Sequence, residues 1–275
     1  MIQDIGSSQL DKSFRKCKPG QRDSMLKFNR EGKILVASHK DRLLFPSSAD
    51  LHDDNDVETV YLFAVDETLY FLQLSEKEIP VKGFEYQDLR YLRGTCRNVD
   101  LFVAFTAFHL WRWYMDNRLC GRCGSRFIQK KDERALICEE CSHVVYPRIN
   151  PAVIVGVSKG DCLLITRYRT GYAHNALIAG FTEIGETLEQ TVIREVMEET
   201  GVKVKNIRYY KSQPWGMAQD ILAGFFCEAD GDDNIRMDED ELQYAQWVPR
   251  EEIVLQPNDL SLTNEMMKIF KNGEM

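Results

Sequence analysis

The 275-residue sequence has no stretch of about 18 uninterrupted apolar residues, the minimum for a membrane-spanning helix. Its opening segment, MIQDIGSSQLDKSFRKCKPG, lacks the apolar run behind basic residues that marks an export signal. The expectation is a cytoplasmic protein with no membrane partner. Positive charge is also scarce: 35 Lys and Arg stand against 43 Asp and Glu, a formal net charge of −8. Such a chain does not attract nucleic acid or anionic lipid loosely, and an anionic substrate requires a local cation or metal. Internal repeats and low-complexity tracts are absent. What remains is ordinary globular composition, 44% apolar, in a chain long enough for two domains and a small insert.

Short alternating apolar runs between about Lys33 and Tyr86 (KILVAS, RLLFP, TVYLFAV, TLYFLQL) predict a small β-rich domain without a catalytic pattern. The acidic stretch SADLHDDNDVE reads as a solvated loop. Asn98 to Leu119 has helical spacing, with Asn98 or Asp100 as N-cap, and Phe102, Phe105, Phe108, Trp111 and Trp113 forming a core or subunit-contact stripe around a packed His109. Farther on, PAVIVGV, CLLITRY and ILAGFFCE read as strands, and Thr187–Thr200 and NEMMKIF as helices. The fold class is α+β. The expected regions are 1–118, a β-rich domain with its linking helix; 119–147, a metal-binding ribbon; and 148–275, a mixed domain carrying the chemistry.

Cys120, Cys123, Cys138 and Cys141 form two C-x2-C pairs around a spacer that can fold as a hairpin. In a reducing compartment this spacing fits four-thiolate zinc better than two disulfides. A closed four-thiolate site leaves no position for substrate, so the zinc is expected to be structural. Cys17, Cys96, Cys162 and Cys227 lack such spacing and read as plain thiols.

In REVMEETG, Glu195, Glu198 and Glu199 occupy one helical arc beside an apolar stripe of Leu188, Val192 and Val196, widened by Ile193 and Met197. Thr187 with Gln190 predicts a capping box, and Gly201 a C-terminal stop. Carboxylates in a last turn oppose the helix dipole by about 0.3 to 1 kcal/mol each, and broken local rules inside a consistent helix point to a functional site. From Gly180 the sequence runs GFTEIGETLEQTVIREVMEETGV, with Glu186 and Arg194 at fixed intervals. This resembles the Nudix hydrolase signature at every fixed position. The resemblance implies an α/β/α sandwich that hydrolyses a nucleoside diphosphate joined to another group. It also implies Mg²⁺ or Mn²⁺ on the glutamates, with Arg194 and Glu186 bracing the motif. Hard cations of this kind prefer oxygen ligands and relieve the repulsion of the empty helix.

Ribbon, Nudix box and the following SQPW (Ser212 to Trp215) together resemble the NADH pyrophosphatase family across nearly the whole chain. The resemblance implies cleavage of NADH or NAD to NMNH or NMN plus AMP, a homodimer, and the 5' NAD cap of RNA as a further substrate. Matching substrate-contacting positions are Glu133, Tyr146, Ala179, Phe181, Gln213 and Trp215, with Asp220 in the motif's polar position. Glu241 matches the remote acidic position that joins the metal site, although Glu239 and Asp240 leave the register open. Arg90, ahead of Arg93, is the candidate cation from the N-terminal region. After Trp215 the family's Pro-Phe-Pro continuation is replaced by GMAQD, which leaves an ADP-ribose or other dinucleotide diphosphatase as the alternative. A non-catalytic nucleotide sensor is disfavoured by the intact set of glutamates.

Overall fold

The computed structural model describes residues 1–54, 57–170 and 174–274; residues 55 and 56 of the acidic loop lie outside them. The chain divides into two compact units, one of residues 3–148 with 216–219, the other of residues 1–2, 149–215 and 220–275.

In the first unit seven strands precede a helix: β1 (Leu10–Asp11), β2 (Ser24–Leu26), β3 (Ile34–His39), β4 (Arg42–Leu44), β5 (Thr59–Val65), β6 (Thr68–Gln73) and β7 (Glu85–Gln87). They form a four-stranded sheet, β1-β5-β6-β2, and a three-stranded sheet, β4-β3-β7, around Met25, Leu35, Tyr61 and Phe71. Helix α1 (Asn98–Asp116) buries all five aromatics of its predicted stripe. The Phe28 ring stacks on Trp111 at 5.1 Å and meets Phe108 edge-on at 5.8 Å.

Two local expectations fail here. The N-cap is Arg97, with no side-chain cap. Asp100 instead accepts the Leu43 amide at 3.1 Å and pairs with Arg97 at 2.9 Å, so its carboxylate ties α1 to β4. His109 is half-buried rather than packed in the core, because its Nε2 lies 2.7 Å from the Arg148 carbonyl.

The cysteine-bearing segment belongs to the same unit. Strands β8 (Phe127–Gln129), β9 (Leu136–Cys138) and β10 (Val144–Val145) form the expected antiparallel hairpin plus one strand. Arg134 donates to the Leu62 carbonyl, and Gln129 Nε2 donates to Glu58 at 2.5 Å.

The second unit is built on a mixed sheet, with β11 (Asn150–Lys159), β12 (Cys162–Tyr168), β13 (Ile178–Phe181), β14 (Val204–Trp215), β15 (Asp220–Ala229) and β16 (Leu242–Pro249). The order is β14-β15-β11-β12-β16, with β13 paired to the first half of β11 and with β11 and β15 parallel. Side chains alternate across the sheet. Val153, Val155 and Val157 pack with Val192 and Val196 of α2 (Leu188–Thr200). On the other face, Ile154 packs with Leu262, Met266 and Phe270 of α3 (Leu262–Asn272). One helix on each face makes an α/β/α sandwich. Gly156 and Gly224 permit the close approach on the α3 side, where an added Cβ would lie 2.7 Å from the Phe226 ring and 2.8 Å from Met266 Sδ. Ile193 and Met197 do not widen the α2 stripe; they are 47% and 37% exposed because the curve of the helix carries them off the sheet.

Candidate active site

Helix α2 starts as its sequence predicts. Thr187 Oγ1 accepts from the Gln190 amide while Gln190 Oε1 accepts from the Thr187 amide, and Gly201 ends the helix at φ 68°. Two carbonyls of its last turn find partners outside the helix: Glu199 O accepts from Asp238 N at 2.9 Å and Thr200 O from Arg236 N at 2.8 Å. These bonds pin residues 236–238 against the acidic end of α2, and farther on Glu241 O accepts the Arg169 amide at 3.0 Å.

Arg194 is the hub of the box. Its guanidinium takes Glu186 bidentately at 2.7 and 3.0 Å, reaches Glu195 at 2.7 Å and Glu198 at 2.9 Å, and donates to the Phe181 carbonyl at 2.9 Å. These bonds hold the Glu186 carboxyl down to about 2. Glu186 further accepts from Thr191 Oγ1 and the Glu183 amide, so loop, helix and β13 meet at one charged bracket.

The three glutamates differ in environment. Glu198 is exposed, and Glu195 is largely covered. Glu199 is buried at 2% exposure. Burial, then the like charges of Glu241 and Glu195, push the Glu199 carboxyl up to about 8. Burial also raises Glu195, against the pull of Arg194. The like charge of Glu241 raises both. Gly180 lets the layers touch: a Cβ there would stand 2.0 Å from the Glu195 carboxyl carbon.

A divalent cation suits this donor set, because carboxylates raised by mutual repulsion and burial gain most from a neighbouring positive charge. The carboxylates do not converge as a ready cage. Among the described residues only the four ribbon thiols place three or more donors within 4.8 Å of one another. Hard cations that keep waters and take substrate phosphate need only one or two carboxylates from the protein.

The thiol cluster fits zinc. Cys120 and Cys141 Sγ lie 3.6 Å apart, and Cys123 and Cys138 Sγ 3.4 Å apart. A tetrahedral ion with Zn–S bonds of about 2.3 Å requires roughly 3.8 Å between sulfurs. His143 Nδ1, 3.7 Å from Cys120 Sγ, is a neighbour that the spacing did not reveal.

The substrate-contact candidates fall into several groups. Glu133 and Tyr146 come together, the Tyr146 hydroxyl donating to Glu133 at 3.1 Å with its ring 58% exposed. Glu133 also pairs with Lys130. Ala179 and Phe181 lie on β13, Phe181 with an open ring face. Trp215 is half-buried at the end of β14 and in register with Asp220. Asp220 is buried with Oδ1 unpartnered, and burial pushes its carboxyl up to about 7.

Two further candidates have partners within the protein. Gln213 is fully buried, donating to Leu260 O at 2.8 Å and accepting from Leu262 N at 2.8 Å, so its amide docks the start of α3. Arg90 is exposed, and its guanidinium is folded back on Asp88 at 2.6 Å, which raises the arginine and leaves it a local ion pair.

The turn after Trp215 has its own physical reason. A Cβ on Gly216 would lie 2.1 Å from the Phe105 carbonyl oxygen, so neither proline nor any other side chain fits there. Tyr168, which sequence reasoning passed over, touches Glu199 through its hydroxyl at 3.2 Å. Only its place in an apolar strand was visible beforehand.

A sandwich with this loop–helix–loop is the fold of a Nudix hydrolase. The NUDIX domain pattern matches residues 147–269, and the NADH pyrophosphatase zinc ribbon domain pattern matches residues 116–146. A Klebsiella pneumoniae protein described as the NAD-capped RNA hydrolase NudC is 37% identical over 232 residues, covering 81% of this chain and 86% of its own. Its Shigella flexneri counterpart of the same description is 41% identical, covering 68% and 75%. A crystal structure of a Nudix hydrolase from Nitrosomonas europaea superposes with TM-score 0.50 at 20% identity, over 56% of this chain and 90% of that one, and so shows the fold alone. The chain belongs to the zinc-ribbon Nudix family that includes the NudC proteins.

Proposed function

We propose that this protein hydrolyses the diphosphate of NADH and NAD, giving NMNH or NMN and AMP, and removes the 5' NAD cap of RNA by cutting the same bond. The observation that carries the reading is a complete Nudix box whose carboxylates gather at one end of α2, in a chain that also bears this family's zinc ribbon. Water adds across the phosphoanhydride: its oxygen joins one phosphorus, the bridging P–O bond breaks, and the other phosphate leaves.

Glu195, Glu198, Glu199 and Glu241 are the residues that would hold Mg²⁺ or Mn²⁺. A bound ion of this kind polarises phosphoryl oxygens and acidifies water. Arg194 keeps Glu195 and Glu198 from swinging away and ties them to β13. Phe181 and Tyr146, each on its own unit, are proposed as ring faces on which a base or nicotinamide can stack, a contact worth about 1 to 3 kcal/mol per base in nucleic-acid systems. Ala179, Trp215 and Asp220 are proposed to line the nucleotide, and Glu133 to contact it beside Tyr146.

The reading is of a cytoplasmic homodimer, with zinc holding the ribbon. Among the described residues no helix is long and apolar enough to cross a membrane. Gly216 in place of the family's proline favours one alternative, a preference for ADP-ribose or another dinucleotide.

The test is to incubate the purified protein with NADH, NAD, ADP-ribose, diadenosine polyphosphates and NAD-capped RNA, with Mg²⁺ or Mn²⁺, and to identify the products. NMNH plus AMP from NADH, and a 5'-monophosphate RNA, are expected. Faster turnover of ADP-ribose than of NADH would select the alternative, and no turnover of any substrate would overturn the enzyme reading.

A further inference from the structure

We propose that Tyr168 is a positioning residue that fixes the Glu199 carboxylate against strand β13, an inference that rests on the active-site reading above. The side chain of Tyr168 leaves β12 on the α2 face of the sheet, as alternation along the strand requires: Leu164 faces α2, Leu163 and Ile165 face α3, and Tyr168 follows the Leu164 parity. Its hydroxyl then sits among three groups. It accepts from the Ala179 amide at 3.0 Å, lies 3.2 and 3.3 Å from the two Glu199 carboxylate oxygens, and is 3.4 Å from the Ala179 carbonyl.

A phenol has one proton to donate. Since its lone pair already takes the Ala179 N–H, that proton goes to the nearest acceptor, the Glu199 carboxylate. The bond is made at a buried carboxyl group, where a lost partner is costly.

Two features make this more than a satisfied core tyrosine. First, Arg194 holds Glu186, Glu195 and Glu198 but none of its bonds reaches Glu199, which is bonded instead by the Tyr168 hydroxyl and the Ala179 backbone. Second, the amide bound by the hydroxyl belongs to β13, the strand bearing Ala179 and Phe181. The hydroxyl thus bridges Glu199 and the strand proposed to line the nucleotide, beside the direct bond from the Ala179 backbone. Outer partners of this kind change metal affinity or activity by about 10- to 100-fold when removed.

Tyr168→Phe removes the hydroxyl and keeps the ring in place. The expected result is a fall in kcat of about 10- to 100-fold with KM for NADH within about 2-fold. Mn²⁺ binding to the substrate-free protein, followed by the electron paramagnetic resonance of free Mn²⁺, should weaken several-fold, with the melting temperature shifted only slightly. A purely structural tyrosine would move the melting temperature and leave the kcat-to-KM split and the Mn²⁺ titration unchanged; that outcome overturns the proposal. Glu199→Gln separates the two layers of inference. If it is inactive while Tyr168→Phe matches the wild type in both readouts, only the positioning role falls. If Glu199→Gln keeps full activity, the active-site reading falls and the role of Tyr168 falls with it.

Discussion

At the scale of single residues, Gly180 is defined by what it cannot carry. A methyl group there would occupy the space of the Glu195 carboxylate, 2.0 Å from its carboxyl carbon. Gly180→Ala should therefore fold with a native circular dichroism spectrum and lose at least about 10-fold in kcat, since a catalytic group misplaced by 1 Å can cost about 100-fold. Glu199→Gln is expected to cost more, about 1,000-fold or greater, because it removes a buried carboxylate from the proposed metal-binding edge. Asp220 gives a pH prediction. Its carboxyl ionises near 3.8 when exposed and near 7 when buried in the fold. Between those values the folded state holds more protons than the unfolded one, so this group's contribution to stability falls as pH rises from about 4 through 7 and is level above that. Asp220→Asn should flatten that slope in urea denaturation measured at a series of pH values. The sequence placed Asp220 in a polar motif position, but only packing determined that one of its oxygens would have no partner.

At the scale of elements, α2 was legible from end to end because its signals are local. Thr187, Gln190 and Gly201 act within a turn of their own backbone, and the structure has the cap and the stop where their spacing put them. Thr187→Ala should cost about 1 kcal/mol of stability, measurable as a lowered urea midpoint with an unchanged slope. Strands β13, β14 and β16 were not legible. Alternation weakens when a strand is short, bulged or at a sheet edge, and β14 shifts register twice along its pairing with β15. Gln213 shows what such a strand conceals. Its amide satisfies a carbonyl and an N–H at the entry to α3, which no sequence interval of 47 or 49 residues announces. Gln213→Ala is expected to destabilise the protein by on the order of 3 kcal/mol, with KM for NADH unchanged in the folded fraction.

At the scale of the molecule, the ribbon is the part whose stability depends on an ion. Four thiols gathered within 4.8 Å of one another repel when ionised, and zinc turns that repulsion into binding free energy that is also folding free energy. Removing zinc with a chelator should lower the melting temperature and increase protease cleavage within residues 116–146, and elemental analysis of the native protein should give one zinc per chain.

Much of this protein was fixed by sequence because its informative residues act at short range. Two C-x2-C pairs, a capping box and a glutamate arc each close within a few residues or one hairpin, so spacing alone determined the zinc set and the acidic helix, while the reaction class came from the family resemblance these residues carry. Tertiary structure decided what depends on distant segments. It pinned residues 236–238 to the end of α2, paired Gln213 and Arg90 within the protein, required glycine at 216, and brought Tyr168 to Glu199 across 31 residues. Those contacts come from sheet order and helix placement. Their energies are realised only when the layers close, so no local pattern encodes them.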